Sequence, residues 1–147
     1  MDADACPVKP EIFRVAGRLG LDVTLAASSR MAIPQQPGVR LVVVQRGHLD
    51  AADDWIAEHV EKDDIVVTSD IPLAARCLEK GAAVLGPDGR VFDSESIGDD
   101  LATRALLSDL RETGTLTGGP APFKPQDRSR FLHRLDETIQ ALRRRQR

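Results

Sequence analysis

DIVVTSDIPLAARCLEKGAAVL, residues 64 to 85, reads as strand, helix and strand in succession. Ile65 to Thr68 is a short, β-branched apolar run of the kind buried in parallel sheets. Ile71 to Lys80 is helical in pattern, with Asp70 placed to cap it and Gly81 to end it. Ala82 to Leu85 then makes a second short strand. Two strands joined through one helix predict parallel neighbours with a right-handed crossover.

The same alternation continues outward in both directions. Val8, Ile12, Val15, Ala16 and Leu19 recur at helical spacing, with Pro7 in the first turn and Gly20 as the stop. Asp22 to Ala27 and Val39 to Val44 have strand composition, and Ser28 to Gly38 between them reads as a loop. Asp50 or Asp53 opens a short helix that runs through Val60. On the other side, Pro87-Asp88-Gly89-Arg90 is a turn by composition. Ile97 to Thr113 reads as a longer helix, Gly114 to Pro125 as a loop, and Asp127 to Arg145 as a final amphipathic helix starting at an acidic cap. The expectation is one α/β domain with a mostly parallel central sheet and helices on both faces. In such sheets ligands gather beyond the carboxyl ends of the strands.

Composition narrows the partners. A chain of 147 residues and 16.0 kDa fits one domain with a real core. Trp55 and four phenylalanines are its only aromatics, too few for a base-stacking platform, so any nucleic-acid contact has to rest on charge and metal. A net charge of −3 argues against a uniformly basic binder, but the charges are uneven: Asp50 to Asp70 is acid-rich and the chain ends in arginines 143 to 145 and 147. Cys6 and Cys77 make neither a disulfide framework nor a metal site by themselves. No apolar run approaches the ~20 residues of a membrane span and no signal peptide pattern opens the chain, so a cytoplasmic location is expected.

Three acidic groups fall just past expected strands. Asp2 and Asp4, two apart, share one side of an extended segment. Asp50, Asp53 and Asp54 stand at helical spacing, where Asp50 and either of the others share a face. Asp70 closes the Thr68-Ser69-Asp70 step after a strand. Each group taken alone is also what a helix cap or first turn uses. Together they point to one pocket, where like-charged carboxylates stay ionised only beside a cation or a proton. An all-oxygen set suits Mg²⁺ or Mn²⁺, and such ions activate water and stabilise charge in phosphoryl transfer. Other groups are weaker. His48, His59 and His133 are scattered, Cys6 reads as a packing residue, and Thr117-Gly118-Gly119-Pro120 offers backbone N–H groups to a phosphate or is a plain loop. Arg104, Arg128 and Arg130 are candidate phosphate clamps or ordinary surface ion-pair partners.

DADACP (residues 2–7), DIVVTSDIPLAARCLEKGA (residues 64–82) and TGGPAPFKPQDRSRF (residues 117–131) resemble the shared blocks of the bacterial YaiI/YqxD family over nearly the whole chain. That family is grouped with PIN-like and NYN-like domains, whose members include metal-dependent ribonucleases. The resemblance implies a single PIN-like domain over residues 1–147, with Asp4, Asp53 and Asp70 as catalytic carboxylates and metal ligands. It also implies Asp2 as a ligand or its support, with Arg104, Gly118, Gly119 and Arg128 as substrate contacts and RNA as the partner. Asp50 and Asp54 compete with Asp53 for the middle position. Two other readings stand beside it. One is a haloacid-dehalogenase-like phosphatase using the DxD step, against which Cys6 and Pro7 count, and the other is a non-catalytic RNA- or protein-binding module. The chain departs from the family in one respect: a short apolar strand usually runs into DADACP, and here Met1 directly precedes Asp2. The expectation is a start upstream, with Met1 at a valine codon read as initiator; an intact mass of the native protein matching these 147 residues would sink it.

Overall fold

The computed structural model describes residues 6–44, 51–112 and 123–145, with backbone only at 104 and 107–112. In chain order the elements are α1 (Lys9–Leu19), β1 (Val23–Ala27), β2 (Val39–Val43), α2 (Ala51–His59), β3 (Ile65–Val67), α3 (Ile71–Glu79), β4 (Ala83–Leu85), β5 (Val91–Phe92), α4 (Ile97–Glu112) and α5 (Pro125–Arg145). Pro10 sits in the first turn of α1, and Gly20 ends it at φ 68°, a left-handed conformation that lets its N–H reach the Ala16 carbonyl.

The strands are mostly parallel, as expected, and among the described residues they fall into two sheets. β1 pairs with β2 in parallel, and β3 pairs with β4 in parallel. β5, where the sequence reading placed no element after the turn at residues 87–90, returns antiparallel to β4 with Leu85 opposite Val91. A two-residue strand is too short to carry a periodic signal, which is why the pattern missed it.

Alternation along the strands divides the core in two. Leu25, Ala27, Val67 and Leu85 point to one face and pack with Ile12 and Val15 of α1 and with Phe131, Leu135 and Ile139 of α5. Their neighbours Ala26, Val66 and Val84 point to the other face, against Ile56 of α2 and Leu73 and Cys77 of α3. The result is three layers, helix, strand and helix, with both sheets contributing to both cores. Among the described residues no helix is long and apolar enough to cross a membrane.

The final helix begins two residues earlier than its acidic residue implied. Pro125 opens it, and Asp127 reaches back to accept a hydrogen bond from the Lys124 N–H at 2.9 Å. Asp127 is therefore the third residue of the first turn and not the cap.

The turn ahead of β5 is tied to α5. Gly89 is buried at φ 90°, and a Cβ there would stand 2.8 Å from the backbone carbonyl carbon of Arg130. Gly89→Ala combines an unfavourable φ with a backbone clash, so it should cost about 2–4 kcal/mol in urea unfolding. A loss below about 0.5 kcal/mol would show that hairpin and helix part without penalty.

Candidate functional site

Chain direction sets which ends of the elements meet. α1 hands over to β1 through Gly20, Leu21 and Asp22, so the start of α1 lies toward the carboxyl end of β1. α2 leads into β3 and α3 into β4 in the same way. The starts of α1, α2 and α3 therefore share the carboxyl edge of the strands, where parallel sheets hold their ligands.

Asp70 stands at that edge with a defined role. Thr68, 2% exposed, extends the β3–β4 pairing by donating its N–H to the Leu85 carbonyl at 3.0 Å. The Asp70 N–H donates to Thr68 Oγ1 at 3.0 Å, and Asp70 Oδ1 accepts from the Leu73 N–H at 2.8 Å as the N-cap of α3. Asp70 is half-buried, and among the described residues its Oδ2 is not engaged. The cap and a ligand role are compatible, because each uses one carboxylate oxygen.

The first turn of α2 carries Asp53 and Asp54, both half-buried. Asp54 is tied across to α3, where Arg76 Nη1 lies 2.7 Å from its Oδ1. That bond gives Asp54 a structural task; Asp50 lies outside the described residues. Asp53 acts on the same helix, since its charge adds to the forces on Cys77. Among the described residues no three His, Cys, Asp or Glu side chains gather as a metal-holding group. The set expected from the sequence also includes Asp2 and Asp4, which lie outside the described residues, as do Gly118 and Gly119. Arg104 belongs to α4, and its side chain is likewise outside the description.

Cys77 is fully buried, and burial pushes its thiol up to about 11, with Asp53 adding in the same direction against Arg76 and Lys80. The neutral thiol is thus favoured in the folded state. Its contribution is complete below the ordinary cysteine value of 9.0 and is lost as pH rises through about 11. Between pH 9 and 11 the protein should lose about 2 kcal/mol more stability than Cys77→Ala does, measured by urea unfolding under reductant. Parallel pH profiles for the two proteins would refute this.

Arg128, a candidate phosphate contact, faces inward on one side. Its Nε lies 3.3 Å from Glu11 Oε1, and its guanidinium lies 5.5 Å from the Phe123 ring centroid, while the side chain remains half exposed. Glu11 is a residue the sequence reading passed over. It is 3% exposed, and its buried Oε2 has no hydrogen-bond partner among the described residues. The signal was present: Glu11 stands three residues after Val8 and four before Val15, on the buried stripe of α1. Cys6 packs in the core, 7% exposed, as its reading as a packing residue anticipated. His59 stacks on Trp55 with ring centroids 4.1 Å apart, and His133 pairs with Glu137 at 2.8 Å. His48 lies outside the described residues.

The Trp55–His59 stack borders a groove of about 680 Å³ at the opposite, amino edge, lined also by Arg40, Asp63, Asp64 and Arg143. Acidic and basic groups alternate around it.

The family described as "Uncharacterized BCR, YaiI/YqxD family" matches residues 1–141. A UPF0178 protein of Brucella ovis is 56% identical over 144 residues, 98% of this chain and 89% of that protein. A UPF0178 protein of Rhodopseudomonas palustris is 54% identical over 145 residues, 99% of this chain and 88% of that protein. No solved structure matches. A match running through α1, all five strands and most of α5 covers the fold and its carboxyl edge together, and the chain belongs to the YaiI/YqxD family.

Proposed function

We propose that this protein is a divalent-metal-dependent ribonuclease that hydrolyses phosphodiester bonds at the carboxyl edge of its strands. The observation that carries the reading is the shared direction of α1, α2 and α3, which turns Asp53 and Asp70 to the same edge. Their donor chemistry suits Mg²⁺ or Mn²⁺, since both are carboxylates and a hard cation takes oxygen. Asp53, Asp70, Asp4 and Asp2 would hold the ion. A bound ion of this kind lowers the pKa of water and offsets charge on the phosphodiester. Arg128, Arg104 and the Gly118–Gly119 backbone are the groups to hold substrate phosphates.

One observation favours a second reading. Asp70 has a complete explanation as the α3 cap, and Asp54 has one in its bond to Arg76. Acids with only those roles would belong to a non-catalytic binding module. The two readings part on metal. A ligand that binds only the folded state must raise its unfolding temperature. The nuclease predicts stabilisation by Mn²⁺ together with cleavage of labelled single-stranded RNA that needs both Mn²⁺ and Asp70. Neither stabilisation nor cleavage would leave the binding module.

A further inference from the structure

Glu11 is a carboxylate on an apolar stripe. Its neighbours on that stripe, Val8, Ile12 and Val15, are all buried in the core shared with β1 and α5, and Glu11 itself is 3% exposed. A charge in such a place is costly unless an opposite charge meets it. Among the described residues Arg128 does so, approaching Glu11 Oε1 through its Nε at 3.3 Å. A structural need alone would be met as well by an apolar residue, since buried ion pairs rarely stabilise more than well-packed hydrophobic ones. What a charged pair adds is direction.

Arg128 is held from two sides. Glu11 meets the Nε side of its guanidinium, and the Phe123 ring lies against the plane with its centroid 5.5 Å away. Phe123 in turn packs on the core that buries Glu11. Asp127, next in sequence, is committed elsewhere: it accepts from the Lys124 N–H at 2.9 Å and pairs with Arg130 at 3.7 Å. With Nε turned to Glu11, the Nη1 and Nη2 end of the half-exposed side chain offers parallel N–H groups that match two oxygens of one phosphate. The location of this fork follows from the helices. α5 runs beside α1 in the same direction, since Arg128 meets Glu11 at their starts and Arg143 donates to the Leu19 carbonyl at 2.7 Å at their ends. The start of α1 lies at the carboxyl edge, so the fork stands at the edge that carries Asp53 and Asp70.

We infer that Glu11 is a positioning residue, which holds Arg128 so that its Nη1 and Nη2 take two non-bridging oxygens of an RNA phosphodiester. The role rests on the reading of this edge as an RNA site, and it supplies what orients a phosphate there. Holding a long side chain in place before the ligand arrives spares its ordering on binding, which is worth about three- to tenfold in affinity for one such side chain. Charge alone would act the other way, because a carboxylate beside Arg128 opposes an incoming anion.

The test is the affinity for a labelled single-stranded RNA without terminal phosphates, read by fluorescence anisotropy in the presence of a chelator so that nothing is cleaved. Glu11→Leu should weaken binding about three- to tenfold, whereas Glu11→Gln, which keeps an oxygen facing Nε, should bind at least as tightly as the parent. Arg128→Lys keeps the charge without the fork and should lose as much as Glu11→Leu, so the outcome does not hang on the folding of one variant. In an Arg128→Ala protein, Glu11→Leu should have no further effect, because it acts through Arg128. Equal or tighter binding by Glu11→Leu would overturn the inference and leave Glu11 a counter-charge alone. Unchanged binding by Arg128→Lys would overturn it as well. A parent that binds no RNA would sink the RNA site and the role of Glu11 together. Binding that depends on Glu11, without any Mn²⁺-dependent cleavage, would support the role and sink the nuclease alone.

Discussion

An Asp70→Asn protein is expected to lose Mn²⁺-dependent RNA cleavage by at least about a hundredfold while unfolding within about 2 °C of the parent. The two halves of that result come from different atoms of one side chain. Oδ1 accepts from the Leu73 N–H at 2.8 Å, and asparagine keeps an oxygen for that bond with nearly equal capping strength. What asparagine removes is the negative charge that would hold a cation in the proposed nuclease. Asp70→Ala removes both and should cost about 1 kcal/mol of stability as well as activity. Asp53→Asn should reproduce the activity loss, whereas Asp54→Asn should leave activity in place and weaken the contact to Arg76, a partly exposed pair contributing about 0.2–1 kcal/mol. Cleavage that survives in Asp70→Asn at parental rate would remove the carboxylate edge as the seat of chemistry.

Arg128→Ala should destabilise the fold by about 1–3 kcal/mol. The cost falls on its partner. Glu11 is 3% exposed, one of its oxygens has no hydrogen bond among the described residues, and the half-exposed Arg128 is its ion-pair partner at 3.3 Å. Removing the partner of a buried polar group costs about 1–3 kcal/mol, and water entering where Arg128 stood offsets part of that. Adding Glu11→Gln should then recover part of the loss, because the stranded group is no longer charged. The check is a double-mutant cycle by urea unfolding, with a coupling above about 1 kcal/mol expected. Additive losses would mean that the two residues act separately, and that Arg128 serves only the surface.

The effect of this pair on any activity follows from its position. It ties the first turn of α1 to the first turn of α5, the elements beside DADACP and the TGGPAPFKPQDRSRF block. Arg128 lies within the last of the three blocks that carry the family resemblance, and Glu11 stands four residues after the first.

The amino-acid sequence by itself determined the order of the elements apart from β5, the α/β class and the family. Local rules suffice for this: Gly20 and Gly81 end helices, IVVT at residues 65–68 makes a strand, and Asp70 caps the helix after it. Parallel crossovers then follow from short alternating units. Tertiary structure alone decided which of the neighbouring acids pairs with Arg76. Asp54 and Asp53 are adjacent in sequence, and only the packing of α2 on α3 gives Asp54 to Arg76. The burial of Glu11 was legible as a position on a stripe, but its partner lies more than a hundred residues away and no local pattern reaches that far. The division of the strands into two sheets was also beyond the pattern. Periodicity says which residues face a core, whereas hydrogen-bonding between two strands depends on what stands beside each edge.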